Sequence, residues 1–182
     1  MLFLLSALAL AAPKGETGTM SAVTPSGLPT PDPAVTRQYL KVLQVWARGL
    51  PEGASNGATA LRAAGLPVLL PPLNAVWVSP PVFGGAKGWY SLSASAQGYS
   101  YALQASGNSW TYTKPPVAKP TATVRGVPAV VTRSEGIVSV SWIEMGVAWA
   151  LDIECEDEAD TRCADATFAT EQAAALVYVG AP

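Results

Sequence analysis

The chain predicts an α+β fold: a curved antiparallel sheet of about six to eight strands, with an amino-terminal helix before it and a carboxy-terminal helix after it. Three observations predict it. An apolar period of three and four residues runs from Asp32 to Leu50. From Ala75 onward the period changes to two. The turn signals Gln97-Gly98, Gly107-Asn108, Ser134-Glu135-Gly136 and Met145-Gly146 then cut the second half at hairpin intervals.

The elements follow in order. The apolar run Leu2 to Ala11 has the length of a signal-peptide core, about half of the ~20 residues of a membrane-spanning helix. Ala9-Leu10-Ala11 supplies a small-x-small cleavage pattern, so residues 1–11 are expected to be a signal peptide. The run follows Met1 directly, without a basic residue, and an uncleaved anchor is the alternative. Residues 12–31, rich in Gly, Ser, Thr and Pro, are expected to be a flexible linker. Residues 32–182 are expected to form one α+β domain, a length that suits a single core.

Asp32 is a good N-cap, Pro33 fits the first helical position, and Gly49 is placed to stop the helix before Pro51. Between them Val35, Tyr39, Val42, Leu43, Trp46 and Leu50 make one apolar stripe. A second, weaker helix is expected over Ala58 to Ala64, stopped by Gly65 and Pro67. Strands are expected at Ala75–Val78, Trp89–Ser95, Tyr99–Ala105, Ser109–Thr113, Thr121–Arg125, Val127–Arg133, Ile137–Glu144 and Val147–Glu154. Tyr99, Tyr101 and Leu103 fall on one face of their strand, and Ser100, Ala102 and Gln104 on the other. A last helix is expected over Phe168 to Val179, closed by Gly180.

Composition narrows function mainly by exclusion. Nearly half of the residues are apolar and 13% are charged, which supplies material for a core. The strongly apolar uncharged stretch Gly65 to Ala86 is broken by five prolines, so no transmembrane span is expected in the mature chain. Seven of the thirteen acids cluster near residue 155, and the bases are scattered without a Lys/Arg run. Nucleic acid is therefore not an expected partner. The chain contains no histidine, which removes Ser-His and Cys-His nucleophile devices. Lys41, Lys87, Lys114 and Lys119 do not stand in a Ser-x-x-Lys context, and Glu135 with Glu144 is the one carboxylate pair weighed as a glycosidase pair. No catalytic residue or cofactor is assigned, and the reading leans away from an enzyme.

Cys155 and Cys163 are the only cysteines, closely spaced behind an export-like leader. This predicts one structural disulfide and an extracytoplasmic compartment: periplasm, envelope or medium. Glu156, Asp157, Glu158 and Asp160 between them form a candidate acidic interaction loop. With Asp152 and Glu154 they also make a weak calcium candidate, lacking the spacing of an EF-hand. The solvated loop is the preferred reading, and no metal is assigned. Trp89, Tyr99, Tyr101, Trp110, Trp142 and Trp149 form a candidate apolar ligand face on a concave sheet.

One cadence carries a family likeness. Val124-Arg125-Gly126-Val127-Pro128-Ala129-Val130-Val131 is followed by Val138 to Leu151, with Trp142, Glu144, Gly146 and Leu151 at its fixed points, and by an Ala-rich close. Leu66-Pro67-Val68-Leu69-Leu70-Pro71 stands ahead of it. This pattern resembles small bacterial extracytoplasmic domains found at the outer ends of anti-sigma factors and in lipoprotein-carrier-like proteins. The resemblance spans about Leu66 to Gly180 and implies a curved sheet beside a helix, a binding or sensing role, and no catalytic residues. The expected function is thus an exported, non-enzymatic binding module for an envelope or extracellular protein. The alternative is a carrier or sensor of a hydrophobic ligand, an acyl chain or a lipoprotein.

Overall fold

Period-two burial organises the centre of the molecule. In the computed structural model, which describes residues 18–22, 27–48, 56–112, 119–157 and 159–180, seven strands join in one antiparallel sheet. They are β3 (Val82–Ala86), β4 (Trp89–Ala96), β5 (Tyr99–Ser106), β7 (Ala122–Val124), β8 (Val127–Ser134), β9 (Ile137–Glu144) and β10 (Val147–Cys155). Their spatial order is β3-β4-β5-β10-β9-β8-β7. Two meanders, β3 to β5 and β7 to β10, are therefore zipped together by a single long-range pairing of β5 with β10.

One cross-strand row shows the core. Leu92 faces Leu103, which faces Leu151, which faces Val140, and all four are fully buried. The opposite face carries Ser91, Ser93, Gln104, Ala102, Ala150, Asp152, Ser139 and Ser141, none of them buried. The alternation of apolar and small polar residues thus decides which face packs. Tight hairpins hold the register. At Arg125-Gly126 both residues have positive φ (53° and 84°), the geometry of a two-residue turn whose twist matches the strands.

Helices cover the apolar face. α1 (Pro33–Ala47) starts where Asp32 accepts a hydrogen bond from the Ala34 N–H at 2.7 Å, and it buries Tyr39 and Leu43. α2 (Gly57–Ala64) is capped by Asn56 in the same way and ended by Gly65 in the left-handed region. α3 (Thr167–Ala174) buries Ala169 and Ala173 and packs near β7, β9 and β10. Two small ribbons complete the fold, β2 (Val68–Leu70) with β11 (Val177–Gly180) and β1 (Gly18–Ala22) with β6 (Asn108–Tyr112). The Tyr90 hydroxyl accepts from the Leu69 N–H at 2.9 Å and donates to the Leu69 carbonyl at 3.0 Å. It serves β2 as a neighbouring strand would.

Three expectations are corrected. Ala75–Val78 is loop: the Ala75 N–H turns back to the Pro72 carbonyl at 2.9 Å and the Val78 N–H bonds to β4 at the Ser95 carbonyl, 2.7 Å, while the flanking Pro71-Pro72 and Pro80-Pro81 keep a ladder from extending on either side. The last helix stops at Ala174, and the β-branched and aromatic run Val177-Tyr178-Val179 is strand instead. Within the segment expected to be linker, Gly18–Ala22 pairs with β6. Residues 1–17 and 23–26, which include the whole expected signal peptide and much of the expected linker, lie outside the described residues, as do Gly49 and Leu50.

α2 and β3 approach closely at one point. A Cβ on Gly85 would stand 2.5 Å from the Ala60 carbonyl oxygen, a backbone atom that cannot swing aside. Gly85→Ala is expected to cost roughly 1–3 kcal/mol of stability, as overpacking usually does, measured by denaturant unfolding. An unchanged midpoint would show that α2 rides freely over β3.

Candidate functional site

The acidic segment is built as a clamp. The Cys155–Cys163 disulfide, with its Cα atoms 6.0 Å apart, closes a loop directly after the last residue of β10, and Cys163 is buried. Asp160 caps the 3-10 turn Thr161–Cys163 by accepting from the Arg162 N–H at 2.9 Å. The Arg162 guanidinium returns to the Asp160 carboxylate at 3.0 Å, donates to the Gln97 carbonyl at 2.8 Å and stacks 4.9 Å over the Tyr99 ring. One side chain therefore ties the loop to the β4–β5 turn.

The acids do not converge. Asp157 accepts from the Ala159 N–H and Asp165 from the Thr167 N–H. Asp152 and Glu154 stand in β10 opposite Ala102 and Ser100, and Glu156 is exposed. Glu158 lies outside the described residues. Among the described residues no group of three or more His, Cys, Asp or Glu could hold a metal ion.

The six aromatics proposed as a ligand face are distributed over different surroundings. Trp149 stands edge-on to Tyr90 (5.9 Å) and stacks on Trp142 (6.1 Å, 15°), and all three rings are buried. Their polar edges are spoken for: Trp142 Nε1 donates to the Glu144 carboxylate and Trp149 Nε1 to the Glu144 carbonyl. Glu144 in turn accepts from Arg125 at 2.8 Å, and Arg125 also donates to the Leu176 carbonyl. Tyr99 is half-buried, edge-on to Phe168 at 5.2 Å. Trp89 is on the opposite face of the sheet, 46% exposed over Gly84. Trp110 is on β6, with its side chain outside the described residues.

Catalytic pairs do not assemble. Glu135 lies in the β8–β9 turn and Glu144 ends β9. Eight extended residues separate such groups by ~20 Å or more at about 3.3 Å per residue, well beyond glycosidase spacing. Lys41, Lys87 and Lys119 are exposed, and Lys114 lies outside the described residues.

One depression among the described residues was not singled out in the sequence. It is open, about 290 Å³, and lined by Trp46 of α1 with Ala75, Trp77, Val78, Ser79 and Pro80 of the Pro71–Pro81 loop. Among the described residues no charged side chain lines it. Val76 and Val78, on either side of Trp77, are 83% and 72% exposed, and Val45 beside Trp46 is 60% exposed. Its sequence signal was Val76-Trp77-Val78, three apolar residues in succession between proline pairs, where a half-buried strand would alternate.

Behind Trp77 the chain leaves one polar atom unanswered. Trp77 stands edge-on to Tyr101 at 5.4 Å, and the buried Tyr101 hydroxyl has no hydrogen-bond partner. Burial pushes its pKa up, with the neighbouring Tyr99 and Tyr39 adding to the shift. Tyr39, pushed up to about 12 by burial, differs in that its hydroxyl donates to the Pro71 carbonyl at 2.7 Å.

No family model, curated protein or solved structure matches this chain. No helix among the described residues is long and apolar enough to cross a membrane.

Two outcomes test the clamp. Replacing both cysteines by serine is expected to cost about 2–3 kcal/mol in global unfolding, the chain entropy of a nine-residue loop. A loss near zero would mean the loop holds without its cross-link. The hydrogen bonds from Arg162 hold the Asp160 carboxyl down to about 2, below its ordinary 3.8. A depressed carboxyl favours the folded state above its unfolded value, and the contribution fades as the pH falls from about 4 through about 2. The Asp160 carboxyl carbon should titrate near 2 by NMR and move toward 3.8 in Arg162→Gln; an unshifted titration would remove the clamp.

Proposed function

We propose that this chain is an exported, non-catalytic binding module of the cell envelope or extracellular space, and that it meets its partner at the apolar depression between α1 and the Pro71–Pro81 loop. The observation that carries this reading is a depression lined by Trp46, Trp77 and the exposed Val78, with no charged side chain among its described lining residues and with exposed Val45 and Val76 next to the two tryptophans in sequence. An apolar depression of this kind marks an interaction site more often than a scattered exposed valine does. The disulfide and the apolar leader favour an oxidising compartment. The likeness of Val124–Leu151 to anti-sigma outer domains and lipoprotein-carrier-like proteins favours binding or sensing over chemistry.

The carrier reading draws on a different observation. Tyr90, Tyr101, Trp142 and Trp149 fill the sheet's apolar face, so a hydrophobic ligand would enter beside Trp46 and Trp77 rather than across the sheet. The acidic loop, with Glu156 and Asp157 exposed, is the competing contact surface.

The test is capture of envelope proteins from the host by the immobilised full chain, quantified by mass spectrometry. Val76→Asp with Val78→Asp is expected to lower specific capture at least about tenfold, the effect of losing an apolar anchor. Neutralising Glu156, Asp157 and Glu158 should leave it within about twofold. The reverse pattern would move the contact to the acidic loop, and absence of specific capture by the parent chain would count against a protein partner.

A further inference from the structure

Three buried or half-buried tyrosines of the apolar face carry hydroxyls near the Trp77 loop, and their hydrogen bonds are not equivalent. The Tyr39 proton goes to the Pro71 carbonyl and the Tyr90 proton to the Leu69 carbonyl. Tyr101 alone among these three has a buried hydroxyl with nothing to donate to. A phenol enclosed in an apolar core without a partner is a standing cost, and such exceptions call for an explanation.

Trp77 is shared between this hydroxyl's ring and the depression. It lines the depression and also packs edge-on against Tyr101. The loop that carries it is lightly held: the Ala75 N–H bonds to the Pro72 carbonyl at 2.9 Å and the Val78 N–H to the Ser95 carbonyl at 2.7 Å. Between those two anchors Val76 projects into solvent. Rotation of the Trp77 indole is the movement that would be needed to join the depression to Tyr101.

We infer that the depression is the mouth of a small-molecule site for a neutral, mainly apolar compound bearing one hydrogen-bond acceptor, a ketone or ester carbonyl, which lies between Trp46 and Trp77 and accepts the Tyr101 hydroxyl proton. The uncharged lining argues against an ionic ligand, since a buried ion would meet no counter-charge there. At about 290 Å³ the open volume sits at the lower end of the range for such sites. The acceptor gives Tyr101 the partner it lacks, so binding gains from an atom that costs the free protein. This rests on the reading of the same depression as the contact surface, and it names the chemistry that the surface would take.

The experiment uses the full chain and two neutral fluorescent probes. One is 6-propionyl-2-(dimethylamino)naphthalene, whose ketone is an acceptor; the other is 2-(dimethylamino)naphthalene, which lacks the ketone. The ketone probe is expected to bind saturably with one-to-one stoichiometry. Tyr101→Phe should weaken it roughly five- to tenfold, the factor of one hydrogen bond, and leave the ketone-free probe unchanged. Trp46→Ala should weaken both. Tyr101→Phe removes an unanswered hydroxyl, so its melting temperature should equal or exceed that of the parent, which separates lost binding from lost fold. Equal binding of the ketone probe by parent and Tyr101→Phe, or no saturable binding by the parent, overturns the site. In that case Val76- and Val78-dependent capture of an envelope protein would leave the partner reading standing. Conversely, Tyr101-dependent probe binding without any captured protein would retain the small-molecule site and remove the protein partner.

Discussion

The pairing of β5 with β10 is the constraint on which the rest of the fold depends. Every other neighbour in the seven-stranded sheet is joined by a short turn, and those hairpins are locally encoded. β5 and β10 meet over eight residue pairs, from Ser106 with Ala148 to Tyr99 with Cys155. A slip of one residue would turn Leu103 and Leu151 outward and bring Ala102 and Asp152 into the core. The clamp of Cys155, Cys163, Asp160 and Arg162 sits at the end of this same pairing, where Arg162 reaches the β4–β5 turn. Of the acids around it, Asp157 and Asp165 accept from nearby backbone N–H groups, and Asp160 holds the arginine.

The aromatic residues divide by surroundings, not by residue type. Trp142 and Trp149 pack in the core, and their ring nitrogens converge on Glu144, which Arg125 neutralises. Tyr90 and Tyr39 use their hydroxyls to hold the main chain near β2. Trp46 and Trp77 remain half-exposed at the helix–loop seam, where the loop approaches Tyr101. The site proposed here lies at the boundary between a filled interior and a lightly anchored loop, where a ligand meets both a firm wall and a movable one.

Much of the sheet was legible from alternation alone. Val138, Val140 and Trp142 against Ser139 and Ser141 predicts the packed face of β9, and the structure buries that set. The same parity on β4 places Trp89 with Ser91 and Ser93 and away from Tyr90, which is where it stands. Grouping the aromatics as one ligand face overrode that parity. Other elements depend on partners distant in sequence. Gly18–Ala22 shows no apolar period, and its strand exists through β6. Val177–Gly180 continues an Ala-rich helical pattern, and pairing with β2 decides its conformation. The depression was the least legible feature, because it depends on the path of a proline-bounded loop over the end of α1. Composition recorded only that Val76, Trp77 and Val78 are apolar.

The close contact of Gly85 with the Ala60 backbone also bears on how the molecule behaves among copies of itself. A sheet of seven strands has two outer edges, and unpaired backbone along them is a template for uncontrolled strand addition. Here β7 offers three residues, and β3 offers five with α2 pressed against it. Neither edge presents a long, flat, unguarded ladder. A chain that exposes an apolar loop can tolerate that exposure where the edges of its main sheet are short, so crowding drives it less readily toward aggregation.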